Sequence, residues 1–177
     1  DEAKETLSVN TIMMDKDGTL TGKNTDVYGL NNGFINKIKI QNLKKDKVFV
    51  LGAGGVTPSI IYALKKRGFE NISISNRTIK KARDIKKRFS FIKIIEWKNI
   101  EAEAVSMDII INATSLGLKG GNNFKQEFKK TKSNLFYYDV IYNPQETLMI
   151  KKFKEKSIQT LNGLEMFLYQ GQKSFSL

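Results

Sequence analysis

The clearest chemical signal in the sequence is the glycine run at residues 52–55, Gly52-Ala53-Gly54-Gly55. It follows residues 47–51, whose apolar and β-favouring side chains predict a buried strand, and it precedes apolar residues at helical spacing. A glycine turn between a strand and a helix places backbone N–H groups and the positive helix end where a pyrophosphate can bind. The pattern departs from G-x-G-x-x-G only at Thr57, a position that serves helix packing. It predicts a dinucleotide site, with a purely structural turn as the alternative.

A second polar stretch, Asn76-Arg77-Thr78, follows the next predicted strand. An acidic residue at this position would accept hydrogen bonds from the adenosine ribose and favour NAD. Here Arg77, Thr78 and Lys81 offer positive charge and donors to a 2′-phosphate instead. We therefore predict NADP as the cofactor. The alternative is that Asn76 and Thr78 only cap the next helix and that Arg77 is solvated.

Composition limits the other function classes. The 177 residues contain no cysteine and no histidine, which excludes disulfides and thiolate metal sites and leaves proton transfer to Asp, Glu, Lys or Tyr. We predict no metal site, and no segment has the length and hydropathy of a membrane span. The net charge of +12 raises nucleic acid as a partner, but the lysines are dispersed without interleaved aromatics. We expect no nucleic acid or membrane partner, a cytoplasmic location, and a field that attracts anionic ligands.

The remaining patterns predict an α/β fold with a doubly wound parallel sheet. Residues 8–14 and 19–23 read as a hairpin, and a helix over residues 27–38 is followed by a polar linker at residues 41–46. The predicted strands thereafter are residues 47–51, 71–75, 92–96, 108–112, 135–140 and 157–161, and the helices are residues 56–66, 78–89, 146–155 and from about 164. Residues 112–117 and 139–144 follow strands and are either further ligand loops or capped turns.

In this order the stretches resemble the shikimate dehydrogenase family over nearly the whole chain. The resemblance is carried by seven segments: Ser8-Val9-Asn10-Thr11, Asn24-Thr25-Asp26, Gly52-Ala53-Gly54-Gly55, Asn76-Arg77-Thr78, Asn112-Ala113-Thr114-Ser115, Asp139-Val140-Ile141-Tyr142-Asn143-Pro144, and Asn162-Gly163-Leu164-Glu165-Met166 with Tyr169-Gln170-Gly171. It implies a Rossmann-type NADP-binding domain and the reversible reduction of 3-dehydroshikimate to shikimate with NADPH, in aromatic amino acid biosynthesis. Monomer and homodimer are both expected assemblies.

The resemblance also implies roles for individual residues. It places Asn10, Asp26, Tyr142 and Gln170 at the substrate, and Gly163, Met166 and the loop of Thr114 and Ser115 near the nicotinamide. Asp26 would be a catalytic residue that holds and tunes a proton-donating lysine. Taken without the resemblance, Asp26 reads as the N-cap of the helix that begins at Val27.

The chain departs from the family before Asn10. Family members carry there most of a substrate domain, with carboxylate-binding serines and the lysine, and Lys4 has no matching surroundings. We therefore expect residues 1–43 to be the last part of the substrate domain and its linking helix, residues 44–161 to be the NADP-binding domain, and residues 162–177 to be a closing helix. The 177 residues alone are expected to be inactive. The alternatives are a quinate- or shikimate-like paralogue and a non-catalytic NADP-binding module.

Overall fold

The computed structural model describes residues 1–38 and 44–177, which form two sheets with helices packed around them. The strands are β1 (Thr11–Met14), β2 (Leu20–Lys23), β3 (Lys47–Leu51), β4 (Asn71–Ser75), β5 (Lys93–Ile95), β6 (Ile109–Asn112), β7 (Phe136–Asp139) and β8 (Gln159–Leu161). The α-helices are α1 (Glu2–Thr6), α2 (Asp26–Gly33), α3 (Thr57–Arg67), α4 (Ile79–Arg88), α5 (Ile100–Ala104), α6 (Leu148–Glu155) and α7 (Leu164–Phe175). Short 3₁₀ turns span Ile35–Lys37 and Trp97–Asn99.

Six strands form one parallel sheet in the order β5-β4-β3-β6-β7-β8. The chain moves outward from β3 through β4 to β5 and then returns to the other side of β3 at β6. The strand order therefore reverses beside β3, and such a switch point opens a crevice at the carboxyl ends of the strands. The predicted doubly wound α/β fold is confirmed.

Alternation along β3 explains why helices cover both faces of this sheet. Val48 and Val50 point into one apolar core with α2, α3, α4 and α7, whereas Phe49 and Leu51 point into the other with α5 and α6. All four side chains are buried, as a strand covered on both faces requires. The described residues include no helix long and apolar enough to cross a membrane.

A second, two-stranded sheet precedes α2. Strands β1 and β2 pair antiparallel, as predicted, and Asn24 lies buried where this hairpin meets α3. The Asn24 amide lies 3.1 Å from Thr6 Oγ1, 3.0 Å from the Ser8 carbonyl and 2.9 Å from Ser59 Oγ. One amide therefore joins the segment before the hairpin to the helix that follows the glycine turn.

Two elements differ from the sequence prediction. Helix α2 ends at Gly33 rather than continuing to residue 38, because Phe34 leaves helical geometry and stacks on Tyr138 with ring centroids 4.0 Å apart. Helix α5 was not predicted, since its buried Ile100 and Ala104 provide only two apolar positions. Of the predicted linker, residues 41–43 lie outside the described residues.

Helices α2 and α7 approach closely because glycines occupy the contact. A Cβ on Gly33 would lie 2.4 Å from the Met166 backbone nitrogen, whereas a Cβ on Gly171 would meet no described atom within 4 Å. We expect Gly33→Ala to lower the free energy of unfolding by about 1–3 kcal/mol, because backbone must move. Gly171→Ala, the matched control in α7, is expected to be neutral or stabilising by up to about 1 kcal/mol. Urea unfolding measures both, and equal effects would contradict this account of the helix contact.

Candidate active site

The glycine turn leaves β3 with a backbone that only glycine adopts easily. Gly52 has φ +116°, and a Cβ there would lie 2.5 Å from the Ala113 carbonyl oxygen. Gly54 and Gly55 are exposed: a Cβ on Gly54 would meet only the Ala113 oxygen at 3.9 Å, and one on Gly55 would meet no described atom within 4 Å. Packing therefore demands glycine at position 52, whereas the space above the next two glycines is open to a ligand at the N-terminus of α3.

Two polar side chains brace this turn. Thr57, in place of the usual third glycine, is buried and its hydroxyl donates to the Gly52 carbonyl at 3.2 Å. Asn76 accepts from the Ala53 N–H at 3.1 Å and donates to the Thr78 carbonyl at 2.9 Å. Asn76 thus ties the end of β4 to the glycine turn. It does not cap α4, whose N-cap is Thr78 without a side-chain capping bond among the described residues.

Arg77 and Lys81 lie exposed beside these turns, Arg77 after β4 and Lys81 in the first turn of α4. Neither forms an ion pair within residues 1–38 and 44–177. Two uncompensated cations therefore flank the position where a Rossmann-type site holds the adenosine ribose.

The loop after β6 is shaped by Asn112. Its amide oxygen accepts from the Thr114 N–H at 3.0 Å and from the Thr114 hydroxyl at 2.7 Å, and that hydroxyl accepts from the Leu116 N–H at 3.0 Å. Thr114 is thereby fixed, and Ser115 is left exposed. Thr114 and Ser115 line an apolar cleft of about 490 Å³ together with Val56, Ala113, Leu118, Lys119, Val140, Ile141, Tyr142 and Asn143.

Asp139, at the end of β7, is the buried charge behind this cleft. Its Oδ1 accepts from the Asn112 amide and the Ile141 N–H, both at 3.0 Å, and its Oδ2 accepts from the Tyr137 hydroxyl at 3.1 Å and the Thr147 hydroxyl at 2.8 Å. Burial outweighs these bonds and raises the pKa of the Asp139 carboxyl to about 6. The sequence marked this stretch as a possible ligand loop, but nothing in it predicted that four donors converge on this carboxyl.

Gly163 and Met166 connect the cleft to α7. A Cβ on Gly163 would lie 1.9 Å from the Val140 carbonyl oxygen, so the helix can begin here only with glycine. Met166 is buried in the core between α2 and α7, not among the residues that line the 490 Å³ cleft.

A second polar cluster lies where the hairpin, α2 and α7 meet. The Asn10 amide donates to the Asp26 carboxylate at 2.9 Å, and the Asn10 oxygen accepts from the Thr25 N–H at 2.9 Å. The Thr25 hydroxyl lies 3.4 Å from Gln170 Oε1. The structure therefore brings together three of the four predicted substrate residues: Asn10, Asp26 and Gln170.

Asp26 does not cap α2, and that alternative is wrong. Thr25 occupies the N-cap position, Asp26 is the first helical residue, and the side chain that accepts from the Val27 N–H, at 3.3 Å, is Asn24. Burial raises the pKa of the Asp26 carboxyl, and the Asn10 hydrogen bond offsets this only in part. The carboxylate is thus a half-buried charge whose hydrogen bond reaches across to the hairpin.

Sequence reasoning missed Ser174 in the same cluster. Its hydroxyl lies 2.7 Å from the Thr11 hydroxyl and 2.9 Å from the Thr25 hydroxyl, and it donates to the Gln170 carbonyl at 2.9 Å. Ser174 joins α7 to the hairpin and to the start of α2. A serine near the end of an amphipathic helix carries no signal that would have identified it.

Tyr142, the fourth predicted substrate residue, lies on the cleft side. Its ring stacks on Phe167 of α7 with centroids 4.5 Å apart and an angle of 19° between the planes. Phe167 also provides the carbonyl that accepts from the Gln170 amide at 3.1 Å. The last helix therefore contacts both the Tyr142 loop and the Asn10–Asp26 cluster.

A doubly wound sheet with an open glycine turn at its switch point is the architecture of a Rossmann-type α/β fold. Residues 35–166 match the family model described as shikimate / quinate 5-dehydrogenase. Because this match covers most of the chain, the chain belongs to the shikimate/quinate 5-dehydrogenase family. The family expected from the seven segments is confirmed.

Individual relatives agree with this assignment. The chain is 46% identical over 175 residues to a shikimate dehydrogenase (NADP(+)) of Pelagibacter ubique. The matched region covers 99% of this chain and 63% of that protein. Among solved structures it is similar to shikimate 5-dehydrogenase from Thermus thermophilus in complex with NADP(H) and shikimate (TM-score 0.81, 28% identity, 98% of this chain and 63% of that one). It is also similar to quinate dehydrogenase from Corynebacterium glutamicum in complex with NAD (TM-score 0.86, 28% identity, 99% and 64%). The chain thus spans less than two thirds of the length of these relatives.

The burial of Asp139 predicts a dependence of stability on pH. Its folded-state pKa of about 6 lies above the usual 3.8, so between about pH 4 and pH 6 the folded protein binds this proton more tightly than the unfolded chain. The contribution to stability is present below this window and is lost as pH rises through it. The two pKa values differ by about 2, and each pKa unit corresponds to about 1.4 kcal/mol, so the loss is roughly 3 kcal/mol.

Asp139→Asn is expected to remove this pH dependence while keeping the geometry. The amide oxygen can accept from Asn112 and Ile141, and the amide N–H groups face the Tyr137 and Thr147 hydroxyls, which can accept. Urea unfolding from pH 4 to pH 7.5 measures the difference between the proteins, with Glu155→Gln, at an exposed site on α6, as the control. Parallel curves for wild type and Asp139→Asn would contradict a raised pKa.

Proposed function

We propose that the protein is an NADP-dependent shikimate dehydrogenase, which reversibly reduces 3-dehydroshikimate to shikimate with NADPH in aromatic amino acid biosynthesis. The observation that carries the proposal is the Asn10–Asp26 hydrogen bond, formed between the hairpin and α2 beside a complete dinucleotide-binding fold. The printed names of the relatives, shikimate dehydrogenase (NADP(+)) among them, support it. The proposal places the enzyme in the cytoplasm, as a monomer or homodimer, where NADPH is available.

The residues present fit an NADP molecule. The open space above Gly54 and Gly55 lies at the positive end of α3, where a pyrophosphate would bind. Arg77, Thr78 and Lys81 would hold the 2′-phosphate, with Asn76 keeping their loop on the glycine turn. Thr114, Ser115, Gly163 and Met166 are proposed to shape the nicotinamide end. When bound, the cofactor supplies the hydride.

The polar cluster would orient the substrate. Asn10 and Gln170 carry amides that can bind ring hydroxyls, and Tyr142 would close the cleft side. Developing negative charge on the ketone oxygen needs a proton, and by resemblance the donor is a lysine outside these 177 residues. The Asp26 carboxylate would keep that ammonium charged and oriented, because an opposite charge within a few Å favours the charged form.

This assignment carries a division of the chain. Residues 1–43 would be the last part of the substrate domain with its linking helix, residues 44–161 the NADP-binding domain, and residues 162–177 the closing helix. The separate two-stranded sheet and the packing of α7 on α2 support these boundaries. The boundary at residue 43 lies at the edge of residues 39–43, outside the described part of the chain.

Quinate dehydrogenase activity is the second candidate, favoured by the similarity to the quinate dehydrogenase structure in complex with NAD. The absence of an acidic residue in Asn76-Arg77-Thr78 favours NADP over NAD. A module that binds NADP without catalysis is the third. Assaying shikimate and quinate with each cofactor, in the protein expressed from its complete coding sequence, separates all three.

Cofactor preference tests the role of Arg77. We expect wild type to bind NADP(H) more tightly than NAD(H), and Arg77→Asp to reduce or reverse this preference. Loss of a charge-assisted contact to the phosphate costs on the order of 1.5–3 kcal/mol. Isothermal calorimetry measures the affinities, and Arg67→Asp, at the far end of α3, makes the same change of charge as a control. Equal wild-type affinities for the two cofactors would refute the assignment.

Turnover tests the role of Asp26. The 177 residues are expected to bind NADP without oxidising shikimate, because hydride transfer needs substrate held about 3–3.5 Å from the nicotinamide by both walls of a cleft. In the protein expressed from its complete coding sequence, we expect Asp26→Asn to keep NADP affinity and to lower kcat roughly 10²–10⁴-fold. Shikimate-dependent NADPH formation is the assay. Efficient turnover by residues 1–177, or an unchanged kcat in Asp26→Asn, would overturn the proposed mechanism.

A further inference from the structure

A second cleft, of about 560 Å³, opens at the carboxyl ends of the strands on the other side of Arg77. It is lined by Arg77, Trp97, Leu116, Asn122, Asn123, Lys125 and Gln126. These residues follow three different strands: Arg77 comes after β4, Trp97 after β5, and the others from the long loop after β6. The cleft therefore lies where the loops that follow β4, β5 and β6 meet.

Trp97, the sole tryptophan of the chain, forms an aromatic wall of this cleft. Its ring stacks on Phe124 with centroids 6.2 Å apart and planes 15° apart, and Phe124 packs edge-on against Phe128 at 5.9 Å. Both phenylalanines are buried. The half-buried indole of Trp97 is thus held in place by two buried phenylalanine rings.

The loop that forms the opposite wall is anchored although it contains no regular element. One Glu101 oxygen, on α5, accepts from the Glu127 N–H at 3.0 Å and from the Phe128 N–H at 2.9 Å. The Gly117 N–H donates to the Asn122 carbonyl at 2.8 Å. Lys125 is therefore presented by a backbone that is fixed on both sides of it.

The charges in the cleft are of one sign. Arg77 and Lys125 line it together, and none of the described residues that line it is acidic. Lys125 forms no ion pair within the described ranges 1–38 and 44–177. Two cations that share a cleft repel each other, and an anion bound between them is stabilised by both.

We infer that Lys125 and Trp97 of this cleft extend the NADP site proposed above, with Lys125 as a further cation on the 2′-phosphate and Trp97 as the surface on which adenine packs. The inference rests on the proposed function and adds two specificity-determining residues to it. An aromatic face, side-chain amides and two cations provide stacking, hydrogen bonds and charge for an adenine with a phosphorylated ribose. NAD lacks the dianionic group that Lys125 would bind.

The test measures binding of NADP, NAD and 2′,5′-ADP to wild type, Lys125→Gln and Lys130→Gln by calorimetry. Lys130 is an exposed lysine of the same loop that does not line the cleft, so it controls for net charge. We expect Lys125→Gln to weaken NADP and 2′,5′-ADP about tenfold, as for the loss of one charged hydrogen bond, and to leave NAD unchanged. Lys130→Gln is expected to leave the affinities for all three ligands unchanged. Urea unfolding shows whether each variant retains wild-type stability.

Trp97 provides an independent readout, since its emission is the only tryptophan signal. We expect 2′,5′-ADP to change this emission saturably, with a midpoint that matches the calorimetric Kd. Binding of NADP with no change in Trp97 emission, or an equal loss of NADP and NAD affinity in Lys125→Gln, overturns the inference and leaves the proposed function standing. Failure of wild type to bind NADP at all overturns both.

Discussion

The 490 Å³ cleft formed by the loops after β6 and β7 depends on the buried Asp139 carboxyl. A carboxyl removed from water must be supplied with hydrogen bonds, and those donors come from β6, β7, the following loop and the N-cap of α6. Thr147 donates to the carboxyl and also accepts from the Ile150 N–H at 3.3 Å, so the same group starts the helix. Asn112 shares its amide between Asp139 and the Leu116 carbonyl, each at 3.0 Å. One buried charge thereby fixes the relative position of both loops that line the cleft.

Glycines and small polar residues hold the Asn10–Asp26 cluster together in a comparable way. Backbone contacts at Gly29 and Gly33 bring α7 against α2, which places Gln170 and Ser174 within reach of Thr25. The Asn24 amide faces three acceptors but has only two N–H groups, so the three polar groups around it share two hydrogen atoms. Such a junction is satisfied only while all the elements stay together, and it therefore couples the hairpin to the helix that follows the glycine turn.

The predictability of these features depends on how far apart their residues lie in sequence. The β3–turn–α3 unit was predicted because apolar spacing, glycines and a helix start lie within 20 residues. Its bracing by Asn76, and the contact of Gly52 with Ala113, join residues 23 and 61 positions apart and left no local signal. Asp26 shows the limit clearly: a helix start beside an acidic residue favours a cap, whereas the Asp26 side chain accepts instead from Asn10, 16 residues away. Helix α5 and the stacking of Trp97 on Phe124 were not predicted for the same reason, since long-range packing stabilises both.

The net charge of +12 affects ligand selectivity only through the positions of the cations. Ion pairs such as Lys87–Asp84 and Lys129–Glu127 are exposed and contribute little to stability. Spread over the surface, they give a field that raises the rate at which an anionic ligand arrives but that cannot distinguish one phosphate from another. Discrimination requires cations fixed at one distance from a shaped wall, because only then does a single phosphate change the binding energy. Arg77 lies on a loop that Asn76 ties to the glycine turn, whereas Lys86 and Lys87 lie in the solvated last turn of α4.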